Sequence, residues 1–280
     1  MDYQARLLQH LIRYKRSVLR IREPGTFRYR GRDVPKDHVL PLAKKWANLI
    51  GPTRSLVETY LVDHPDVRPH RYFHHLNSSQ AFAFNLFFPF FGGGPVASRA
   101  LLRALGQAEP LESWEPEAVP DKDEGTNLDA CWRLAGGTVV MCEVKLSEAD
   151  FGKASADERH RRKLRDLYRP VLKGHVAASM LEEPSFFRAY QILRNVWHML
   201  SVPGSRLVFV LPRGNARLWA ELVPTLASLT PAARDRVSIA AIEDVLASLQ
   251  VDAQCPVPLR GYARLLADKY LVGVSGLNGE

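Results

Sequence analysis

Three charged residues sit in one apolar stretch, LDACWRLAGGTVVMCEVKL, which runs from residue 128 to 146: Asp129, Glu143 and Lys145. A charge flanked by apolar residues in a strand is costly to bury unless something pairs with it. Glu143 and Lys145 are two apart, so in a strand they project from one face. Where Asp129 points depends on the turn. A three-residue loop, Ala135-Gly136-Gly137, pairs Leu134 with Thr138, and counting back brings Asp129 opposite Glu143. A two-residue Gly136-Gly137 turn sends Asp129 to the other face, unless a bulge restores it. The three-residue loop is favoured because it gathers all three charges. Two carboxylates opposed across strands repel. Lys145 offsets part of this, and a divalent cation offsets more. Mg²⁺ (or Mn²⁺) takes oxygen ligands, and such a site polarises a phosphodiester and lowers the pKa of a bound water. Lys145 is then placed to steady the attacking water or the charge building on the phosphate. The expected chemistry is phosphodiester hydrolysis, with Asp129 and Glu143 as metal ligands. The alternative is an edge hairpin whose polar face is solvated.

Other residues could join such a site. Over 185–200, Phe186, Tyr190, Leu193, Trp197 and Leu200 follow a helical apolar spacing. Arg188, Gln191, Arg194, Asn195 and His198 share the polar stripe. That stripe reads either as a solvated face or as a wall on which Gln191 lines a cleft and the arginines, Arg194 among them, meet phosphate. The segment ERHRRKLRD (158–166) is strongly basic. It is a solvated helix face or, through Arg159, Arg161, Arg162 and Lys163, a DNA backbone contact. Glu148 is a third acidic group or a loop residue. His74 and His75 precede a helix and read as loop residues. FGGGP lacks the Lys and Ser/Thr of a phosphate-binding loop.

The elements that must position these residues follow from periodicity and breakers. Residues 3–20 predict an amphipathic helix, followed by an extended basic stretch, TFRYRGRDVP. Helices are expected near 38–50 and 53–62, with HPDVRPH as a linker. Asn77 is the expected cap of the next helix, Gln80 its capping-box partner, and Pro89 with Gly92 to Gly94 its end. Pro95 suits the start of a helix over about 95–106. After the hairpin come helices near 157–172 and 185–200, a strand at 205–212, a helix near 215–228, a strand near 236–241 and two more helices. An antiparallel hairpin followed by alternating strands and helices implies an α/β fold with a mixed central sheet flanked by helices.

Length and composition bound the rest. The 280 residues suffice for one large or two small domains and a sizeable core. Lys and Arg exceed Asp and Glu by 8, a basicity that suits a polyanion such as nucleic acid. The most apolar run, AFAFNLFFPFFGGG, is interrupted by Asn85, Pro89 and glycines, so no membrane contact is expected. The polar amino terminus does not read as a secretory signal. Three cysteines without a C-x-x-C exclude a four-cysteine metal site in one chain and point to a reducing cytoplasm.

At Asp129 and Glu143-Val144-Lys145 the sequence resembles the PD-(D/E)XK nuclease superfamily. EVKLSEADFG together with HHLNSSQAFAFNLF is similar to a branch of bacterial proteins described as putative restriction endonucleases. The likeness runs from about His38 to Cys255 and implies a restriction-endonuclease-like core and Mg²⁺-dependent cleavage of DNA; with HPDVRPH as the linker, the expected division is an N-terminal helical extension over 1–66 and the nuclease-like domain over 67–280. The resemblance leaves oligomeric state open, a homodimer included. Two positions depart from the family pattern. An acidic residue often stands on the first core helix, where the candidate here is Gln80. Exonuclease-like members carry Q-x-x-x-Y, whereas Gln191 is followed by Arg194 and Asn195 with no tyrosine at that spacing. Two other functions stay open: a DNA-binding or scaffold protein that has lost its chemistry, and a repair exonuclease.

Overall fold

The structure, a computed structural model, describes residues 2–273. In chain order its elements begin with α1 (Tyr3–Ser17), β1 (Gly25–Tyr29), β2 (Arg32–Lys36), a 3-10 helix (Leu42–Asn48), α2 (Thr53–Asp63), α3 (Ser79–Phe91) and α4 (Pro95–Ala104). There follow β3 (Leu111–Ala118), β4 (Leu128–Leu134), β5 (Val139–Val144), α5 (Glu158–Lys163), α6 (Arg169–Leu172), α7 (Glu183–Arg188) and α8 (Tyr190–Ser201). The last are β6 (Arg206–Leu211), α9 (Ala216–Ala227), α10 (Pro231–Arg234), β7 (Val237–Ala241), α11 (Ile242–Val251) and α12 (Val257–Tyr270). The fold is α/β. No helix among the described residues is long and apolar enough to cross a membrane. Two compact units divide the chain: Met1–Leu111 with Ala241–Glu280, and Glu112–Ala240. The boundary expected after residue 66 lies within the first of these.

The first unit is built on α3, which is apolar on every side and buried along nearly its whole length. Three expectations change here. Ser78, not Asn77, caps α3, its hydroxyl accepting from the Ala81 amide at 3.3 Å. Gln80 is not a capping-box partner; it accepts from the His70 amide at 2.7 Å and donates to the Arg68 carbonyl at 3.3 Å, holding the preceding loop. Pro89 does not end the helix, which continues to Phe91. Proline removes the bond its N–H would make to the carbonyl four residues back. That carbonyl belongs to Asn85, and the Tyr262 hydroxyl donates to it at 2.8 Å, so the freed acceptor is satisfied. The stretch expected as a helix over 38–50 is a shorter 3-10 helix, and the basic extended stretch is the β1–β2 hairpin.

The second unit holds a five-stranded sheet in the order β3-β4-β5-β6-β7. β4 and β5 are antiparallel and β5 and β6 parallel, so the sheet is mixed, as expected. β5 and β6 are apolar runs buried almost throughout, which suits strands covered on both faces. The long crossover between them carries α5 to α8, the length a parallel connection needs. Phe151, Tyr168, Phe186, Trp197 and Phe209 fill the core beneath. The expected 185–200 helix is two helices broken at Ala189, whose φ of −101° and ψ of 25° leave the helical region.

A buried carboxylate ties the loop before β4 to the crossover helices. Glu124 is 2 % exposed. Lys163 donates to its Oε1 at 3.0 Å and to its backbone carbonyl at 2.6 Å, and the Tyr168 hydroxyl donates to Oε1 at 2.7 Å. The Thr126 amide and hydroxyl donate to Oε2, and His198 Nε2 lies 3.5 Å from it. Burial by itself would raise the Glu124 pKa, but the donors from His198, Thr126, Tyr168 and Lys163 outweigh it and hold the carboxyl below the usual range. A depressed folded pKa means this stabilisation is complete above the ordinary glutamate value of about 4.3 and is lost as pH falls below it. Glu124→Gln should therefore cost about 3–5 kcal/mol at pH 7, the usual penalty for breaking a buried pair, as read by urea unfolding. The gap between variant and wild type should narrow as pH drops below about 4. A constant gap from pH 7 to 3 would mean the charge of Glu124 contributes nothing.

Candidate active site

The hairpin turn sets the geometry of the site. Leu134 N–H donates to the Thr138 carbonyl at 2.9 Å, and Gly137 N–H to the Leu134 carbonyl at 2.8 Å. Gly137 has φ +83°, the left-handed position that a three-residue hairpin loop assigns to glycine. The strands then pair Arg133 with Val139, Trp132 with Val140 and Ala130 with Cys142. One residue further along that register Asp129 faces Glu143, the arrangement expected from the three-residue loop.

Glu143 is gripped from two elements. From the residue just past the end of its strand, Lys145 Nζ lies 2.8 Å from Glu143 Oε1, with side-chain exposures of 11 % and 4 %. From α8, Gln191 Nε2 donates to the same Oε1 at 2.7 Å, and Asn195 Nδ2 donates to Oε2 at 3.0 Å. Lys145 also donates to Gln191 Oε1 at 3.0 Å, so Gln191 bridges the carboxylate and the ammonium. Gly152 makes room for this bridge. A Cβ there would lie 2.8 Å from Gln191 Oε1, and its φ of +109° excludes most other residues. Its carbonyl accepts from the Gln191 amide at 3.2 Å.

The two carboxylates are compensated unequally. Asp129 is half-buried and accepts one bond, from the Val144 amide to Oδ2 at 2.7 Å. Burial, then the charges of Glu143 and Glu117, push its carboxyl well above the usual range, against the pull of Lys145. Burial alone would lower the Lys145 pKa, but Glu143, Glu148 and Asp129 raise it above the ordinary lysine value, so the ammonium stays charged. Among the described residues no group of three or more His, Cys, Asp or Glu side chains is arranged to hold a metal. Two carboxylates, however, present hard oxygen donors. A carboxylate has about four lone-pair sites; three donors occupy those of Glu143 and one those of Asp129. Lone pairs remain on both, and the hard carboxylate oxygens suit Mg²⁺ or Mn²⁺.

The structure thus brings Asp129, Glu143, Lys145 and Gln191 together. It disperses the expected DNA contacts. Arg159 and Arg162 are exposed on α5. Arg161 is exposed but paired with Glu183 at 3.0 Å. Lys163 points inward to Glu124, and Arg194 is 8 % exposed, bonded to Asn195 Oδ1 at 3.3 Å, so neither is displayed at the surface. Glu148 is turned back on its own loop, accepting from the Leu146 amide at 2.6 Å. The polar stripe of α8 is not a solvated face: Asn195 and His198 are buried, Asn195 donating to Glu143 and His198 Nε2 lying 3.5 Å from Glu124 Oε2. Asn195 and Gly152 shape the surroundings of Glu143, and Glu124 ties the loop before β4 to the crossover helices, roles that their residue types alone did not signal. Asn195 occupies the place four residues after Gln191, and its spacing was the one available sign.

Comparison with known proteins places the chain. No curated protein and no solved structure matches it. One family does: the REase-ARP model, described as restriction endonuclease associating with ARP, matches residues 8–271. That span takes in the sheet, the hairpin and the α8 stripe, and the chain belongs to this restriction-endonuclease family.

Proposed function

We propose that the protein is a nuclease of the PD-(D/E)XK type that hydrolyses DNA phosphodiester bonds in a restriction or defence role. The supporting observation is the grip of Lys145, Gln191 and Asn195 on Glu143, with Asp129 opposite. Asp129 and Glu143 are the residues that would hold Mg²⁺ or Mn²⁺, which when bound would supply Lewis-acid polarisation of the phosphodiester and a more acidic water. Lys145 is the cation that steadies charge on the attacked phosphate. It is pre-oriented by Gln191 and Glu143, so little reorganisation is needed as the charge develops. Asn195 and Gln191 fix the rotamer of Glu143, and the Val144 amide fixes Asp129. Arg159 and Arg162 are the exposed cations on α5 suited to the DNA backbone. The family description also names an association with ARP.

Gln191 supports a second reading, an exonuclease that needs DNA ends, because it lies in the site and touches both Glu143 and Lys145. Supercoiled and linear DNA separate the two readings. An endonuclease nicks the closed circle, and an end-dependent enzyme degrades the linear form alone.

Lys145→Ala should lower plasmid cleavage at least about 100-fold, the loss typical of removing one preorganised stabilising donor. DNA affinity in a gel shift should change little, because one cation is a small part of the phosphate contacts. Equal loss of cleavage and binding would make Lys145 a binding residue and sink the catalytic assignment.

Asp129→Asn tests the metal. A carboxyl whose folded pKa is raised destabilises the fold above its unfolded value of about 3.9, because the unfolded chain ionises more readily. Removing that charge should leave the melting temperature in chelator at or above wild type. Millimolar Mg²⁺ should raise the wild-type melting temperature by binding the folded state alone. The variant should lose most of that increase. A wild type with no Mg²⁺ shift, or a variant that keeps all of it, would remove Asp129 as a ligand.

A further inference from the structure

The β1–β2 hairpin of the first unit is a second surface that the nuclease reading does not use. Its register runs from Gly25 opposite Lys36 to Tyr29 opposite Arg32, closed by the two-residue loop Arg30-Gly31. Both loop residues have positive φ, 47° and 80°, the pattern of a type I′ turn. Asparagine or glycine is the usual residue at the first of these positions, and arginine there is strained. Arg28, Arg30, Arg32, Lys36 and the neighbouring Arg71 are exposed, and none forms an ion pair among the described residues. Of the nearby acids, Glu23 pairs with Lys44 and Asp37 with Arg16, while Asp33, opposite Arg28 in the register, is exposed and forms no ion pair among the described residues.

Aromatic rings interleave these cations. Tyr29 is 53 % exposed and stacks on Phe27 with ring centroids 6.3 Å apart. The Arg30 guanidinium sits 5.3 Å over the Tyr29 ring, and Arg71 sits 4.5 Å over Tyr72. The root is held by packing, with Phe27 against Tyr72 at 5.6 Å and against His75 at 5.7 Å. A rooted two-stranded ribbon with unpaired arginines along it and at its tip fits a polyanion. Its width is that which a DNA major groove admits.

We infer that the β1–β2 hairpin is a DNA-docking ribbon: Arg28, Arg30 and Arg32 contact the phosphates of double-stranded DNA. The choice of DNA as partner rests on the nuclease reading; the surface itself lies outside the site already described. A strained arginine at the tip fits this role, since strain kept at an exposed turn costs stability and is retained where the side chain has work to do. Charge complementarity selects a polyanion, and the ribbon shape selects a duplex over a single strand.

The experiment measures binding of a 30-base-pair duplex by fluorescence anisotropy across a salt series, in chelator so that the DNA stays intact. Changing Arg28, Arg30 and Arg32 to Ala should flatten the log–log salt slope by about 2–3 units, close to one per lost contact. Changing the same three to Lys should restore most of the slope. Arg30→Asn gives an independent readout. It suits the turn, so the melting temperature should rise while DNA affinity falls. An unchanged slope in a folded triple-Ala protein overturns the docking surface. So does Arg30→Asn with lower melting temperature and wild-type affinity, which would make Arg30 structural. Binding to phosphatidylserine vesicles, with no DNA binding, overturns it as well. Plasmid cleavage by the wild type, run in parallel with Mg²⁺, reports on the nuclease reading separately. Cleavage with an unchanged salt slope leaves the nuclease and removes the ribbon, and a flattened slope without cleavage does the reverse.

Discussion

The grip on Glu143 is the constraint on which the second unit depends. A carboxylate with 4 % side-chain exposure, in the middle strands of a sheet, must be compensated or it unfolds the strand around it. Compensation comes from Lys145, just past the end of β5, and from two side-chain amides on α8. The contact therefore sets the rotation of α8 about its axis, since Gln191 and Asn195 must both face the sheet. It also sets the approach of the loop at Gly152, because Gln191 occupies the space a side chain there would need. One charge thus orders a strand, a helix and a loop.

The same helix serves a second acid, and the two sites are tuned in opposite directions. His198, one turn beyond Asn195, faces Glu124. Glu124 receives donors from Lys163, Tyr168 and Thr126 and is held ionised. Asp129, opposite Glu143, has one amide donor and two acidic neighbours, and its ionised form is disfavoured. A saturated carboxylate is a structural tie. An undersupplied one beside a like charge is the arrangement found where a cation or substrate completes the set. The contrast separates the buried Glu124 from the half-buried Asp129 by their electrostatics.

The hairpin was legible in the sequence through period-two alternation and the glycines at its turn, but the turn length was not: two-residue and three-residue turns send Asp129 to opposite faces, and the three-residue loop was favoured because it gathers the three charges. The left-handed Gly137 and the pairing of Arg133 with Val139 are what put Asp129 opposite Glu143. The polar stripe on α8 was visible as a pattern, but its direction was not. Periodicity tells which residues share a face and leaves open whether that face meets water or a buried acid. Glu124 and Lys163 were illegible for a related reason. A glutamate in a polar loop and a lysine in a basic run have ordinary exposed readings, and their pairing spans 39 positions. Pro89 misled for the opposite reason: a strong local breaker was overruled when the Tyr262 hydroxyl, far along the chain, took the carbonyl it freed.

Net basicity also resolves into parts once each cation has a place. Lys15 is buried and donates to the carbonyls of Glu23, Asp37 and Val39 at 2.6, 2.9 and 2.7 Å, satisfying all three of its protons. Lys269 is buried on Asn48 and forms no ion pair among the described residues, and burial holds its pKa well below the ordinary lysine value. Lys145 and Lys163 each serve a buried carboxylate. Lys15, Lys163 and Lys269 raise the formal charge without adding to the surface that a polyanion could meet, and Lys145 adds to it only within the candidate site. Among the described residues the displayed cations without an ion pair are mostly arginines, and they include Arg28, Arg30 and Arg32 on the β1–β2 hairpin and Arg159 and Arg162 on α5. Arginine keeps its charge in every environment and presents a planar fork to phosphate, whereas lysine adapts to burial by shifting its pKa. The division of labour between the two residue types follows from that difference. A net charge of +8 says nothing about binding until the buried lysines are set aside from the exposed arginines.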